Sequence, residues 1–370
     1  MRISADKIAS VTRNLKLDRM LTLSAEVRAE HGAVLAGRIL GDKSGYNQLE
    51  DVHGRLNVLH GDDIVVGALG HRNALHGYEG VLPKSVAPGQ KLHILNMGGV
   101  IGECISHNPD VGQPFEFEVL GQVLVYPEFQ SRLGEPANIR MGALKADGKV
   151  PNCKVIYVAG TCMNAGKTAA ACAIVRRLSQ AGYRVGGAKL TGVSLMRDTL
   201  SMRDYGAEVT LDFTDAGIAC TGPESAAQVA KTIFAELSTR RFDVIVAETG
   251  DGIMGEYGVQ AILADAELRA LTAAFVFCAN DPVGVAGGVE HLRSEYDIDV
   301  DLVTGPCTDN NVGVRFVERA VDKPAINALT HAKALGNHLL DVIAKRGVVN
   351  TTKVSLSPSP LVGEGRVRGE

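Results

Sequence analysis

The residues best suited to chemistry lie in Val155–Thr168, VIYVAGTCMNAGKT: an apolar run, a glycine-containing loop, Gly-Lys-Thr, then an Ala-rich stretch. A strand that feeds a loop and then a helix N-terminus makes an anion site, because loop and first-turn N–H groups point at the ligand. The backbone of Gly160, Thr161, Asn164, Ala165 and Gly166 is expected to cradle a polyphosphate. Gly166 leaves room for close approach, Lys167 supplies a point charge to the terminal phosphates, and Thr168 offers a hydroxyl to Mg²⁺. A second candidate is Phe242–Gly255, FDVIVAETGDGIMG, where an apolar strand ends in Glu248 before a glycine-rich turn. Sites of doubly wound sheets lie at the carboxyl ends of strands, where a carboxylate can complete a Mg²⁺ site with Thr168 and the nucleotide phosphates. Two later loops, Ala279–Gly284 and Thr304–Asn310, follow apolar runs, which places Asn280 and Asn310 at the expected base pocket. Neither loop carries the Asn-Lys-x-Asp signature of guanine binding, so ATP is expected rather than GTP.

The loop spacing is informative. The first glycine is Gly160 rather than residue 161, so the loop reads GTxxxxGKT instead of GxxxxGK[ST]. This resembles the loop of dethiobiotin synthetase and its relatives among the ATP-dependent amidoligases, a class that includes cobyrinic acid a,c-diamide synthase. A partitioning-type ATPase would carry a signature lysine where this chain has Cys162. The resemblance extends over roughly residues 154–345 through three further segments. Lys189, in Gly187–Gly192, matches a lysine that points at substrate and phosphates. Asp198, in Arg197–Leu200, matches an aspartate that helps hold Mg²⁺; a helix N-cap is the other role open to it. Glu248 with Gly250 and Gly252 matches a Glu-Gly-rich motif whose backbone N–H groups meet a substrate carboxylate or its acyl phosphate. The chain departs from the pattern at Cys162-Met163, where the synthetase loops have Asp-Thr, and at Thr249.

The resemblance implies a Mg-ATP-dependent enzyme that phosphorylates a small carboxylate or carbamate to an acyl phosphate, for ligation or ring closure with an amine. Lys167, Lys189 and Glu248 are its expected catalytic residues, and Thr168, Asp198 and Glu248 its metal set. The alternative is a regulatory P-loop NTPase whose nucleotide state switches a protein interaction. A homodimer is expected in either case.

These residues need a scaffold. After residue 153 apolar runs alternate with helical stretches: Lys154–Ala159, Arg184–Leu190, Asp243–Ala247, Ala273–Cys278, Val300–Val303 and Pro324–Ala328 read as strands. In the helical stretch Pro223–Arg240, Val229, Ile233 and Leu237 share one face. This alternation predicts an α/β fold with a doubly wound, mostly parallel sheet over residues 154–348. Upstream, glycine-punctuated runs such as Asp63–Leu69, Lys91–Leu95 and Phe115–Val125 predict a smaller β-rich unit, an antiparallel barrel or sandwich, over residues 1–130. Residues 1–30 look weakly helical. A linker is expected at 131–153 and a disordered Ser/Pro/Gly-rich tail at 349–370.

Composition narrows the function. The chain has 370 residues, a net charge of −4 and no tryptophan, which disfavours nucleic acid as a partner. No run approaches the roughly 18 apolar residues of a membrane span, and the first residues lack a signal-peptide core, so a cytoplasmic protein is expected; the last twenty residues resemble translated bacterial intergenic repeat sequence, which implies a bacterial origin. The seven cysteines include no CxxC pair and read as reduced thiols. Seven of the ten histidines precede residue 108, two of them in Gly70–Gly77, GHRNALHG, but their spacing matches no zinc signature and reads as polar turns.

Overall fold

A computed structural model describes residues 1–127, 133–145 and 153–348. Six fully parallel strands form the sheet that carries the phosphate loop: β1 (Val155–Gly160), β2 (Val185–Thr191), β3 (Val209–Asp212), β4 (Val244–Thr249), β5 (Thr272–Cys278) and β6 (Leu302–Thr304). Their order is β3-β2-β4-β1-β5-β6. All residues of β1 and β4 are buried, as continuous apolar runs require when both sheet faces are covered. The two faces feed separate cores. Val155, Tyr157 and Ala159 of β1 pack with Val229, Ile233 and Leu237 of α3 (Ala226–Ser238), the stripe legible in the sequence. Ile156 and Val158 pack with Ile174 and Leu178 of the helix that follows the loop and with Leu335 and Leu339 near the end of the described chain. This is a doubly wound α/β fold, a parallel sheet with helices on both faces.

The upstream unit is a closed barrel. Val34–Leu40 pairs with Ile64–Leu69, which pairs with Val100–His107, then Lys91–Ile94, then Glu116–Val125, which returns to Val34–Leu40. Closure removes exposed strand edges. Phe117 and Val119 point into the core while Glu116 and Glu118 remain partly exposed, which is the alternation seen in the sequence. The barrel is not purely antiparallel: Ile64–Leu69 and Val100–His107 run parallel.

Three sequence expectations are corrected. Residues 1–30 contain strands Arg2–Ser4, Lys7–Ile8 and Met20–Ser24 and a 3₁₀ turn at Ser10–Leu15, not an α-helix. Leu21 and Leu23 are buried with period two, and pairing of Met20–Ser24 with Glu116–Val125 overrides local preference. Pro324–Ala328 makes only an isolated bridge, Ala325 to Val303. Strand β3 was not foreseen. Within the segment expected as a linker, Glu135–Pro136 pairs with Glu116–Val125. The tail expected at 349–370 lies outside the described residues.

The two units interlock. Arg13 of the barrel unit donates to Asp212 at 2.6 Å and Asp215 at 3.0 Å beside β3. Asn96 Nδ2 donates to the Ser194 carbonyl at 2.6 Å. The Met196 N–H meets both Glu50 oxygens, at 2.7 and 3.0 Å. Ala219, from the sheet unit, is part of the barrel core, with Val193 packed against it.

Candidate functional site

Strand β1 delivers Gly160 to the carboxyl end of the sheet, and the loop turns back through left-handed backbone at Asn164 (φ 60°) and Gly166 (φ 90°). Helix α1 (Lys167–Gln180) starts there with no side-chain cap, so its first-turn N–H groups stay open to a ligand. Lys167 is buried and its Nζ donates to the Cys162 carbonyl at 2.6 Å, holding the ammonium inside the loop. Thr168 Oγ1 donates to Glu248 Oε1 at 3.2 Å.

Glu248, at the end of β4, is 3% exposed and its Oε2 has no hydrogen-bond partner. Parallel register sets Lys189 of β2 beside Glu248. Lys189 is paired with Asp198, in the first turn of α2 (Arg197–Asp204). Asp198 is therefore not the N-cap of α2, a position held by Met196. Its Oδ1 accepts no hydrogen bond, with Arg197 Nε 3.5 Å away. Burial first, and then the neighbouring Lys167, push the Lys189 ammonium below its usual range, while Glu248 and Asp212 oppose the shift. Burial likewise raises Asp251, opposed by Lys167.

Around these groups lies a cavity of about 480 Å³. Asn164, Gly166, Lys167, Thr168, Lys189, Asp198, Glu248 and Gly250 all line it. Gly160, Thr161, Ala165, Gly252, Asn280 and Asn310 do not. Ala165 is buried beneath the loop. A Cβ on Gly252 would overlap the Thr161 carbonyl oxygen, and one on Gly250 the Thr191 carbonyl oxygen, so close backbone packing explains both glycines. Asn280 Nδ2 reaches Cys162 Sγ at 3.1 Å, against the outside of the loop. The Asn310 side chain accepts from the N–H groups of Val312 and Gly313, capping the helix Asn311–Val321.

The opposite wall was not legible in the sequence. Tyr46, Arg72, His76 and Asn96 come from the barrel unit, and Asp251 and Tyr257 from the turn after β4. The one signal in the sequence is the GHRNALHG run, which carries Arg72 between His71 and His76.

Among the described residues no group of three or more His, Cys, Asp or Glu is arranged to hold a metal. The Thr168, Asp198 and Glu248 oxygens are a hard donor set suited to Mg²⁺, which usually binds through one or two carboxylates plus substrate phosphates. The orphaned Glu248 Oε2 and Asp198 Oδ1 fit such a cation. All seven cysteines are free. No helix among the described residues is long and apolar enough to cross a membrane.

No protein-family profile and no curated protein matches the chain. Solved structures with partial similarity include the signal recognition particle receptor FtsY from Elizabethkingia anophelis, at TM-score 0.36 and 13% identity over 53% of this chain and 68% of that one. The 54 kDa signal recognition particle protein of Aeropyrum pernix K1 in complex with GDP matches at TM-score 0.36 and 13% identity, over 55% of this chain and 49% of that one. Chloroplast FtsY from Physcomitrella patens matches at TM-score 0.35 and 12% identity, over 55% and 70%.

Proposed function

We propose that this chain is a Mg-ATP-dependent enzyme that phosphorylates a small carboxylate or carbamate. One observation carries the reading: the cavity bounded by the phosphate loop, the buried Lys167, the partly buried Lys189 and both orphaned carboxylate oxygens has its opposite wall from a second unit and is sized for a small molecule.

In the proposed reaction a substrate carboxylate oxygen attacks the γ-phosphorus of ATP. The bond from that phosphorus to the bridging oxygen breaks, ADP leaves with the electron pair, and an acyl phosphate forms. An amine then attacks the acyl carbon, loses a proton and expels inorganic phosphate. Such chemistry needs positioning and charge neutralisation rather than a protein nucleophile. Lys167 is the ammonium nearest the loop and leaves the Cys162 carbonyl for phosphate oxygens. Lys189, already below its usual pKa range and paired only with Asp198, supplies the second positive charge. When Lys189 turns toward phosphate, Asp198 is freed as an oxygen donor beside Thr168 and Glu248. Mg²⁺ held by these oxygens supplies Lewis-acid neutralisation of phosphate charge.

A second reading, a regulatory NTPase, has its own observation. The segment from Ser194 to Asp198 runs from barrel contacts at Asn96 and Glu50 directly to the partner of Lys189. A change at the nucleotide would thus be felt by the barrel.

The deciding experiment measures ADP release and ³¹P-detected acyl phosphate across a panel of small carboxylic acids, with ATP and with GTP. Acid-stimulated ADP release with ATP is expected, and Lys167→Ala should lower it on the order of 10²–10³-fold or more. Tight ATP binding with no acid-stimulated turnover would favour the regulatory reading. Substantial turnover by the Lys167→Ala chain would overturn both.

A further inference from the structure

The cavity contains a cation that the phosphate chemistry does not account for. Arg72, in the barrel wall, is 4% exposed. A guanidinium stays charged in proteins, and a buried charge is costly unless it is paired. Among the described residues no carboxylate forms an ion pair with Arg72. Its Nη1 donates to the Tyr46 hydroxyl at 2.9 Å and to the Leu95 carbonyl, and its buried Nε has no acceptor at all. The rings of Tyr46 and Tyr78 flank it, each centroid 5.7 Å from the guanidinium carbon. These aromatic contacts offset part of the desolvation and leave the charge uncompensated. Gly77 makes room for it: a Cβ there would stand 2.5 Å from Nη2. In the rest of the lining charges are balanced, Lys167, Lys189 and Arg197 against Asp198, Glu248 and Asp251. Arg72 is therefore a preformed positive site within the same chamber. The Tyr46 hydroxyl, which accepts from Arg72, keeps its own proton to donate.

We infer that Arg72 and Tyr46 form an anion subsite for a carboxylate of the small-molecule substrate. This rests on the proposed reading of the cavity and makes the substrate an acid with two anionic ends. One end is held by the barrel, and the other faces the phosphate loop for phosphorylation. The barrel then selects the substrate, while the sheet unit supplies the chemistry. A planar guanidinium suits this work because its parallel N–H groups match the two oxygens of a carboxylate.

The test uses the full chain saturated with MgADP and titrated calorimetrically with succinate, and separately with inorganic phosphate. Succinate should bind, and Arg72→Gln should weaken it about 10- to 100-fold, as loss of a charged hydrogen-bond partner requires. Arg72→Lys should restore part of the affinity, and MgADP affinity should stay unchanged in both variants. Arg72-dependent binding of phosphate but not succinate would overturn the carboxylate assignment in favour of a phosphorylated ligand. Failure of both probes to bind wild type, or succinate binding unaffected by Arg72→Gln, would overturn the subsite itself. Should Arg72→Gln not fold, wild-type crystals grown with MgADP and succinate decide: density beside Arg72 and Tyr46 supports the subsite, and succinate bound only elsewhere overturns it. The Lys167→Ala chain separates the two readings. Wild-type MgADP binding that survives in that variant strikes the phosphate-loop reading while leaving the Arg72 result intact.

Discussion

Single side chains in this protein are tuned by what surrounds them, and His31 is the plainest case. Burial, followed by the neighbouring His71 and Arg140, lowers its pKa from 6.5 to about 4, with Glu224 opposing. Its buried Nε2 has no hydrogen-bond partner. The folded state thus binds fewer protons than the unfolded chain between these values. Its contribution is fully present above pH 6.5 and is lost as pH falls toward 4, by up to about 3 kcal/mol. Urea unfolding of wild type and His31→Gln should show a stability difference that changes over this window. A difference that is flat from pH 7.5 to pH 4 would sink the assignment. The same scale explains what could be read in advance. The places of Lys167, Thr168 and Glu248 in the cavity lining were legible because local sequence fixes them: a strand, a turn, a helix start. Arg72 was not, because its meaning depends on which residues fail to surround it, and only the folded chain shows that.

At the scale of elements, the phosphate loop is shaped by its neighbour as much as by its own glycines. The turn after β4 packs its backbone directly on Thr161 at Gly252, and the Ile253 N–H donates to the Gly160 carbonyl at 2.9 Å. Gly252→Ala should displace the loop and weaken nucleotide binding by about tenfold or more, with a smaller effect on global unfolding. Nucleotide titration of the variant beside wild type checks this, and unchanged affinity would mean that the loop yields freely. In the sheet unit β1 and β4 followed from continuous apolar runs, since both are buried on both faces, and α3 from its one apolar stripe, whereas the partly exposed β3 and the lone bridge at Ala325 carry no such signal. The barrel was harder. Its alternation at Glu116–Val125 was visible, but closure and the parallel pair are set by register between distant strands. The first thirty residues misled for the same reason: their extended form exists only because Glu116–Val125 offers an edge to pair with.

For the whole molecule, the decisive feature is the clamp between units. Asp212, at 1% side-chain exposure, depends on Arg13 for its charge partner. Burial and the adjacent Asp212 together raise the pKa of Asp215, so Arg13 answers a crowded pair of acids. Removing one partner of a buried pair leaves an uncompensated charge, and Arg13→Ala should cost about 3–5 kcal/mol. Equilibrium urea unfolding measures this, and a loss under about 1 kcal/mol would mean that water already screens the pair.

Ala219 gives the interlock a temporal side. The barrel strands are synthesised well before Ala219, yet the barrel core includes that residue, with Val193 packed against it. On a ribosome, where N-terminal regions emerge first, the barrel must wait with an unfilled seat until the sheet unit arrives to close it. The chain that completes the barrel core thus also lines the chamber at Val193, so a half-made chain presents no finished site.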